Sequence, residues 1–226
     1  MKETEMILQM AHENNGTVTT AMVTKAGISR GNLKYLTDTG KLERSGRGVY
    51  VLPEIWDDEF FAFQNRFKRG IFSCDTALFL WNMTDRTPNK FCMTFPATYN
   101  LTSVKKENVR CSQVIDSLYE VGLTETETPA HNIVRVYNRE RTLCDILKKS
   151  NQTDIQLITQ AFKEYAKLPD KNIALLSDYS KLFRVSGNVP TWRYYYEKRN
   201  AIKSHPQKHG EAKEYFCTAR FAELYA

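Results

Sequence analysis

The sequence predicts an α+β fold, in which an N-terminal winged helix-turn-helix is followed by a mixed α/β C-terminal domain. Two patterns lead to this prediction. The first 52 residues carry signals for three short helices and then a hairpin, and the later residues alternate strand-like apolar segments with amphipathic helices. The composition agrees, because 42% hydrophobic and 26% charged residues among 226 is the balance of a globular protein with an apolar core.

The first two helices are marked by their start and stop signals. Residues 4–15 carry apolar side chains on one helical face and end in the stop signal of residues 14–16, Asn-Asn-Gly. Either Thr19 or Thr20 can cap a second short helix that runs through Ala26 and ends at the following glycine.

A third helix is expected to begin at Ser29, which can cap it, and to end at Gly40. Leu33 and Leu36 share its apolar face with Ser29 at 3.6 residues per turn. The side chains expected to point away from that face are those of Arg30, Lys34 and Tyr35.

A hairpin with a basic, glycine-rich tip follows. Residues 41–44 and 49–52 are the two strand candidates, residues 45–48 are the turn, and Pro53 stops the second strand. Arg47 lies between two glycines, so the backbone amides of the tip can approach a phosphate closely.

The order of helix, helix, turn, helix and hairpin is that of a winged helix-turn-helix. Residues 25–47 hold six basic side chains against two acidic ones, which favours DNA binding over a helical domain that only packs against its neighbour. We expect the third helix to enter the major groove and Arg47 to contact phosphate or the minor groove. The predicted DNA-binding residues are Ser29, Arg30, Asn32, Lys34, Tyr35, Arg44 and Arg47.

The predicted domain boundaries place the winged domain at residues 1–53, a connecting helix at 54–70, an α+β domain at 71–187 and a C-terminal tail at 188–226. The tail has a possible short helix at 211–224. In the α+β domain, the predicted helices are 74–83, 139–147, 154–167 and 173–183, and the predicted strands are 90–95, 109–114, 120–124 and 132–137.

Signatures of catalysis or cofactor binding are missing from the sequence. It has no GxSxG, Walker A or dinucleotide fingerprint, and its five cysteines form no CxxC pair. Zinc binding by His205 and His209 is disfavoured because a proline follows the first of them. We therefore expect no metal, no cofactor, no catalytic residues and no enzyme activity. The charged N-terminus and the lack of a long apolar run favour a cytoplasmic protein with no membrane partner.

Three blocks, in order, resemble the AbiEi family of antitoxins. The first consists of GKL at residues 40–42 and RGVY at residues 47–50, which is similar to the family's winged N-terminal domain. The second is TDRTP at residues 84–88, and the third is RERTLCDIL at residues 139–147. The resemblance covers about residues 4–187.

This resemblance implies an antitoxin of a type IV toxin–antitoxin system of phage abortive infection, which represses its own operon through the N-terminal domain. It also implies that the C-terminal domain opposes a nucleotidyltransferase-like toxin of the AbiEii type without forming a stable complex. We expect a monomer in solution and two copies on an inverted repeat in the promoter. The candidate antitoxin surface consists of Asp85, Arg86, Thr87 and Asp145. The alternative, which the residues alone favour for the charged pair Asp85 and Arg86, is that opposite charges fix the turn, and Asp145 has the same alternative.

Two other classes of function stay open on the sequence alone. One is a nuclease or nucleotide-processing enzyme that the winged domain targets to nucleic acid. The other is a winged-helix transcriptional regulator whose second domain senses a small molecule.

Overall fold

The computed structural model describes residues 2–55, 58–107 and 109–186, and it confirms the α+β class. The predicted tail at 188–226, with its helix at 211–224 and both tail histidines, lies outside the described residues. In the part of the chain that is described, no helix has the length and apolar character needed to cross a bilayer.

The N-terminal elements form a winged module, which we define as residues 3–51. Its bounds are α1 Glu3–Glu13, β1 Thr17–Thr19, α2 Thr20–Lys25, α3 Gly31–Asp38, β2 Glu43–Gly46 and β3 Val49–Val51. The three strands form an antiparallel sheet in the order β1-β3-β2. Strand β1 was not predicted, because three residues that run directly into a helix carry too short a pattern to be recognised.

The core of the winged module comes from the apolar faces predicted for its helices. Ile7 and Ala11 of α1 are fully buried, and they cluster with Leu33 and Leu36 of α3. Thr19 caps α2 as expected, since its hydroxyl accepts a hydrogen bond from the backbone N–H of Met22 at 3.2 Å. These contacts place the opposite face of α3 in solvent.

The following residues build a five-stranded mixed sheet, which we call the central sheet. Its elements are α4 Glu59–Arg66, β4 Ile71–Phe72, α5 Cys74–Leu80, β5 Phe91–Pro96, β6 Val109–Val114, α6 Asp116–Tyr119, β7 Leu123–Glu127 and β8 Ile133–Tyr137. The strand order is β6-β5-β4-β8-β7. Strands β5 and β6 pair in parallel, as do β4 and β8, and the two remaining pairings are antiparallel.

Several predicted bounds in this sheet are wrong. The strand expected at 120–124 is β7, Leu123–Glu127, because Gly122 has a left-handed backbone (φ 76°) and the strand begins only after it. The strand expected at 90–95 is β5, Phe91–Pro96, whose last residue, Pro96, is paired with Val114. The two-residue strand β4 and the single-turn helix α6 were not predicted.

The phenylalanines of the connecting segment belong to the core of the central sheet. Phe67 is 3% exposed, and Phe60 packs against Phe91 with ring centroids 4.7 Å apart. Helix α4 is shorter than the predicted 54–70 and begins after Asp58, whose carboxylate accepts a hydrogen bond from the backbone N–H of Phe61.

Three further helices follow: α7 Arg139–Ile146, α8 Ile155–Lys167 and α9 Ile173–Leu182. Each lies within one residue of its predicted bounds, because local signals mark their ends. The carboxylate of Asp154 caps α8, and the side chain of Asn172 caps α9. Helix α7 packs against both α8 and α9, and every one of its residues but the first is buried.

The chain divides into two compact units. One comprises Met1–Asn82 with Arg86–Asn138, and the other comprises Met83–Asp85 with the described residues from Arg139 on. This division differs from the predicted boundaries, since the winged module and the central sheet fall in the same unit. The boundaries at residues 53 and 70 therefore stay a prediction about independent folding.

Candidate nucleic-acid interface

Six basic side chains of the winged module are exposed. They lie on α2, on α3 and around the β2–β3 hairpin, where only two acidic side chains occur in the same stretch of residues 25–47. The six are Lys25, Arg30, Lys34, Lys41, Arg44 and Arg47. Such a local excess of exposed positive charge attracts a polyanion.

The outer face of α3 carries the side chains expected to reach a nucleic acid. Since Leu33 and Leu36 are buried, Lys34 and Tyr35 are directed to solvent, and the Tyr35 side chain is 56% exposed. Arg30 lies one turn before Lys34, at the start of the helix. Its Nε donates a hydrogen bond to the hydroxyl of Thr24 at 2.9 Å, which holds the guanidinium against α2.

Two predicted DNA-binding residues are engaged in holding α3 in place. The hydroxyl of Ser29 accepts a hydrogen bond from the backbone N–H of Gly31 at 3.3 Å, so it acts at the start of the helix. Asn32 is half-buried, and its amide donates to the carboxylate of Glu3 on α1 and to the backbone carbonyl of Ser29. The structure thus shows both residues fixing α3, and a direct contact with DNA stays a prediction for each.

The wing tip is a two-residue turn, Arg47 and Gly48, and not the four-residue turn expected at 45–48. The Arg47 side chain is exposed at this turn, and Arg44 donates from Nε to the carbonyl of Gly46 at 3.2 Å. The tip is therefore compact and presents one arginine at its end.

The wing tip is held against the start of α2. The carbonyl of Gly48 accepts a hydrogen bond from the backbone N–H of Thr20 at 2.9 Å. Gly48 has φ 77°, and a Cβ at this position would lie 2.8 Å from the Thr20 hydroxyl. Thr20 is therefore a residue of the interface that the sequence did not reveal, because only the fold brings it to the wing.

The residues of the candidate antitoxin surface differ in exposure. Asp85, Arg86 and Thr87 are exposed in the segment that follows α5. One oxygen of Asp85 accepts a hydrogen bond from the side-chain amide of Gln160 at 2.8 Å.

Asp145 does not lie on a surface, which corrects the expectation for this residue. Its side chain is 4% exposed and accepts two hydrogen bonds from Nε of Arg141, at 3.0 and 3.1 Å, and one from Nζ of Lys148 at 2.6 Å. The Arg141 guanidinium also lies 3.7 Å from the centroid of the Phe183 ring. The RERTLCDIL block of helix α7 therefore contains a buried ion pair of Arg141 and Asp145. Their i, i+4 spacing is visible in the sequence, but the pair was not predicted from it.

The same burial shifts the pKa values of a thiol in α7 and of a tyrosine in α8 that contacts α7. Burial raises the pKa of the Cys144 thiol to about 12, with a smaller contribution from the adjacent carboxylate of Asp145. Burial also raises the pKa of Tyr165, whose hydroxyl donates to the carboxylate of Glu140 at 2.7 Å. Both groups are neutral near pH 7 and serve the packing of α7 against its neighbours.

The described part of the chain contains no group of three or more His, Cys, Asp or Glu side chains that could hold a metal ion. A polar cleft of about 360 Å³ lies beside the central sheet. Its lining comprises Arg66, Asn100, Thr102, Ser103, Lys106 and Glu107. Within it, the Arg66 guanidinium and the Glu107 carboxylate form an ion pair.

A comparison with known protein families finds a match over the winged module. Residues 5–53 match the model of a family described as "Transcriptional regulator, AbiEi antitoxin". The match confirms the resemblance found in the sequence and supports an antitoxin and DNA-binding transcriptional regulator as the class of protein.

One solved structure with a similar fold is that of the RV2827C protein from Mycobacterium tuberculosis, at 15% sequence identity and a TM-score of 0.51. The alignment covers 85% of this chain and 80% of that one, so the likeness extends beyond the winged module, and it concerns the fold alone. No curated protein sequence matches the chain.

Proposed function

We propose that this chain, whose winged module matches the AbiEi antitoxin regulators, is an antitoxin that represses its own operon by binding an inverted repeat in the promoter. The observation that carries the DNA-binding part is the set of six exposed basic side chains around α3 and the wing. The regulatory and antitoxin roles rest on the family match over residues 5–53.

In this proposal α3 lies in the major groove. Its N-terminal residues contact base edges, as the second helix of such a motif does, and Lys34 contacts a phosphate or a base. Arg47 at the wing tip contacts phosphate or the adjacent minor groove. The tight turn supports this role, because a short tip held by Thr20 presents the arginine in a defined position.

One protein copy binds each half of the inverted repeat, so two copies occupy one operator. The chain also neutralises a nucleotidyltransferase-like toxin without forming a stable complex with it. This part of the proposal is supported by the resemblance of the TDRTP block, residues 84–88, and of helix α7 to the antitoxin family. Because α7 is buried, we assign the accessible part of this function to Asp85, Arg86 and Thr87.

Repression and protection can be measured in cells with the same variants. We expect Lys34→Ala/Arg47→Ala to lose repression of a promoter reporter while it still protects cells from the partner toxin. The control Lys149→Ala/Lys163→Ala removes two exposed lysines outside the winged module and should leave repression near the parent level.

Full repression by Lys34→Ala/Arg47→Ala would contradict the proposed DNA contacts. Failure of the parent chain to protect cells would contradict the antitoxin role. Cleavage of promoter DNA or RNA by the purified chain with Mg²⁺ would instead favour the nuclease alternative.

A further inference from the structure

A buried carboxylate connects the winged module to the central sheet. Asp58 is 6% exposed, and its two oxygens have different partners. Oδ1 accepts from the backbone N–H of Phe61 at 3.0 Å and so caps α4. Oδ2 accepts from the hydroxyl of Thr128 at 2.5 Å and from the side-chain amide of Asn132 at 2.8 Å. One side chain therefore fixes both the start of α4 and the loop of residues 128–132.

The 128–132 loop reaches the winged module. It is closed by a hydrogen bond from the backbone N–H of Thr128 to the carbonyl of Asn132 at 2.8 Å. At its apex, His131 has φ 63°, and its carbonyl accepts a hydrogen bond from the side-chain amide of Asn15 at 2.7 Å. Asn15 lies two residues beyond Glu13, the last residue of α1, so the loop is hydrogen-bonded to the turn that ends this helix.

Helix α4 supports the wing from the other side. It contacts strand β2, and a Cβ on Gly46 would lie in ordinary contact distance, 3.5 Å, from the Cβ of Ala62. The buried amide of Gln64 anchors α4 to the sheet, because it donates to the carbonyl of Gly70 and accepts from the backbone N–H of Arg135. The wing strand thus lies on a helix whose position the sheet determines.

We infer that Asp58 is a positioning residue for DNA binding, acting through α4 on the wing and through the 128–132 loop on α1. Helix α1 packs against α3 and is hydrogen-bonded to it by Glu3 and Asn32. Both parts of the proposed DNA surface, α3 and the wing, are therefore oriented by the hydrogen bonds of this one carboxylate. This inference rests on the proposed function, and it predicts that changes far from the basic face weaken operator binding.

The test weakens the attachment of the loop to Asp58 without removing the cap of α4, and the bond from the Asn132 amide to Oδ2 remains. Thr128→Val keeps the shape of the side chain and leaves the bond between Asp58 and Phe61. It deletes the hydroxyl that donates to Asp58 and that also accepts from the backbone N–H of Asn132 at 3.2 Å, so it loosens the loop in both ways. Thr128→Ser keeps the hydroxyl and is the matched control. We expect the full-length Thr128→Val chain to bind a duplex of its own promoter about tenfold more weakly than the parent, and Thr128→Ser to bind within about twofold.

A double-mutant cycle with Arg47→Ala distinguishes positioning from a general loss of stability. If Thr128 acts partly through the wing, its effect on affinity is smaller once Arg47 is gone, so the two losses do not add. Binding is measured well below the melting temperature of each variant, so that unfolded protein does not lower the measured affinity. Losses that add in full would overturn the action through the wing.

Asn15→Gly provides an independent variant if Thr128→Val does not fold. Glycine accepts the left-handed backbone at this position, φ 50°, and removes the amide that binds the His131 carbonyl. We expect weaker operator binding with a nearly unchanged melting temperature. If the parent binds the promoter and both variants bind it equally well, the inference is wrong while the proposed function stands. If the parent binds no promoter element, both fail.

Discussion

At the wing tip, Gly48 is required for two separable reasons. Its left-handed backbone is unfavourable for other residues, and a Cβ would lie 2.8 Å from the Thr20 hydroxyl. Gly27 has a similar backbone, φ 73°, but nothing lies within 4 Å of a Cβ built there. These two glycines therefore form a matched pair for separating backbone strain from a steric clash.

We expect Gly27→Ala to lower the free energy of unfolding by about 1 kcal/mol, the cost of a left-handed alanine. Gly48→Ala should cost more, and it should also weaken promoter binding because the clash displaces the tip that carries Arg47. Denaturant unfolding and promoter affinity measure the two effects. Equal losses of stability with no change in affinity would show that the contact with Thr20 does not position the wing.

The thiol of Cys144 should be unreactive in the folded chain. Its pKa of about 12 lies above the ordinary value of 9.0, so the folded state favours the protonated thiol. That contribution to stability is present below pH 9 and falls as the pH rises from there toward 12, because the unfolded chain ionises first. At pH 8, alkylation followed by mass spectrometry should label the half-buried Cys111 before Cys144. Equal labelling rates in the native chain would contradict the burial.

For the basic residues of the winged module, exposure was easier to predict than role. The sequence correctly indicated that Arg30, Lys34 and Arg47 are exposed, since helical periodicity and a turn determine this locally. It did not indicate that Asn32 binds Glu3 or that Thr20 holds the wing, because those partners are brought together only by tertiary folding.

Among the secondary-structure elements, helix α7 shows how a family block can be structural. Its Arg141 is fully buried and its Asp145 is 3% exposed, and each is the other's partner. Buried pairs contribute little compared with apolar packing, but a buried charge that loses its partner is strongly destabilising. Arg141 and Asp145 must therefore both be present for the fold to be stable.

We expect Asp145→Ala to lower the free energy of unfolding by about 3–5 kcal/mol, because it leaves the Arg141 guanidinium buried without its carboxylate. Asp178→Ala is the control, since its ion pair with Lys181 is 3.9 Å long and exposed, and such pairs contribute below about 1 kcal/mol. Urea unfolding gives both values. A variant at Asp145 that is as stable as the control would show that the pair is dispensable for folding.

Helices α7, α8 and α9 were predicted more closely than strands β4 and β7, for a physical reason. Caps such as Asp154 and Asn172 lie next to the helices they begin, so the sequence around each helix contains the signal. Strand β7 begins after Gly122 and pairs with β8, and the two-residue β4 exists only because it lies between β5 and β8. Such pairings depend on partners distant in sequence, which a local pattern does not contain.

For the molecule as a whole, the winged module is not simply attached by a linker. The predicted boundary at residue 53 assumed a connecting helix between separate domains. The hydrogen bond from Asn15 to His131 and the contact of β2 with α4 instead place the module and the central sheet in one compact unit. The sequence showed no sign of this, because both contacts join segments that are far apart in the chain.

The whole chain carries a net charge of +6, which could by itself attract DNA. A general positive charge would attract any polyanion, whereas the proposal assigns the attraction to particular side chains of the winged module. These two cases differ in how binding depends on salt, because each phosphate contact releases counterions and adds about 0.9 to the slope of log affinity against log salt.

The most direct test is therefore the salt dependence of promoter binding by the full chain and by Lys34→Ala/Arg47→Ala. We predict that the parent shows a steep slope and that the double variant loses about two units of it together with affinity, as two phosphate contacts would. The control Lys149→Ala/Lys163→Ala should keep the parent slope. If the double variant shows the affinity and slope of the parent, the winged module does not bind DNA through this face.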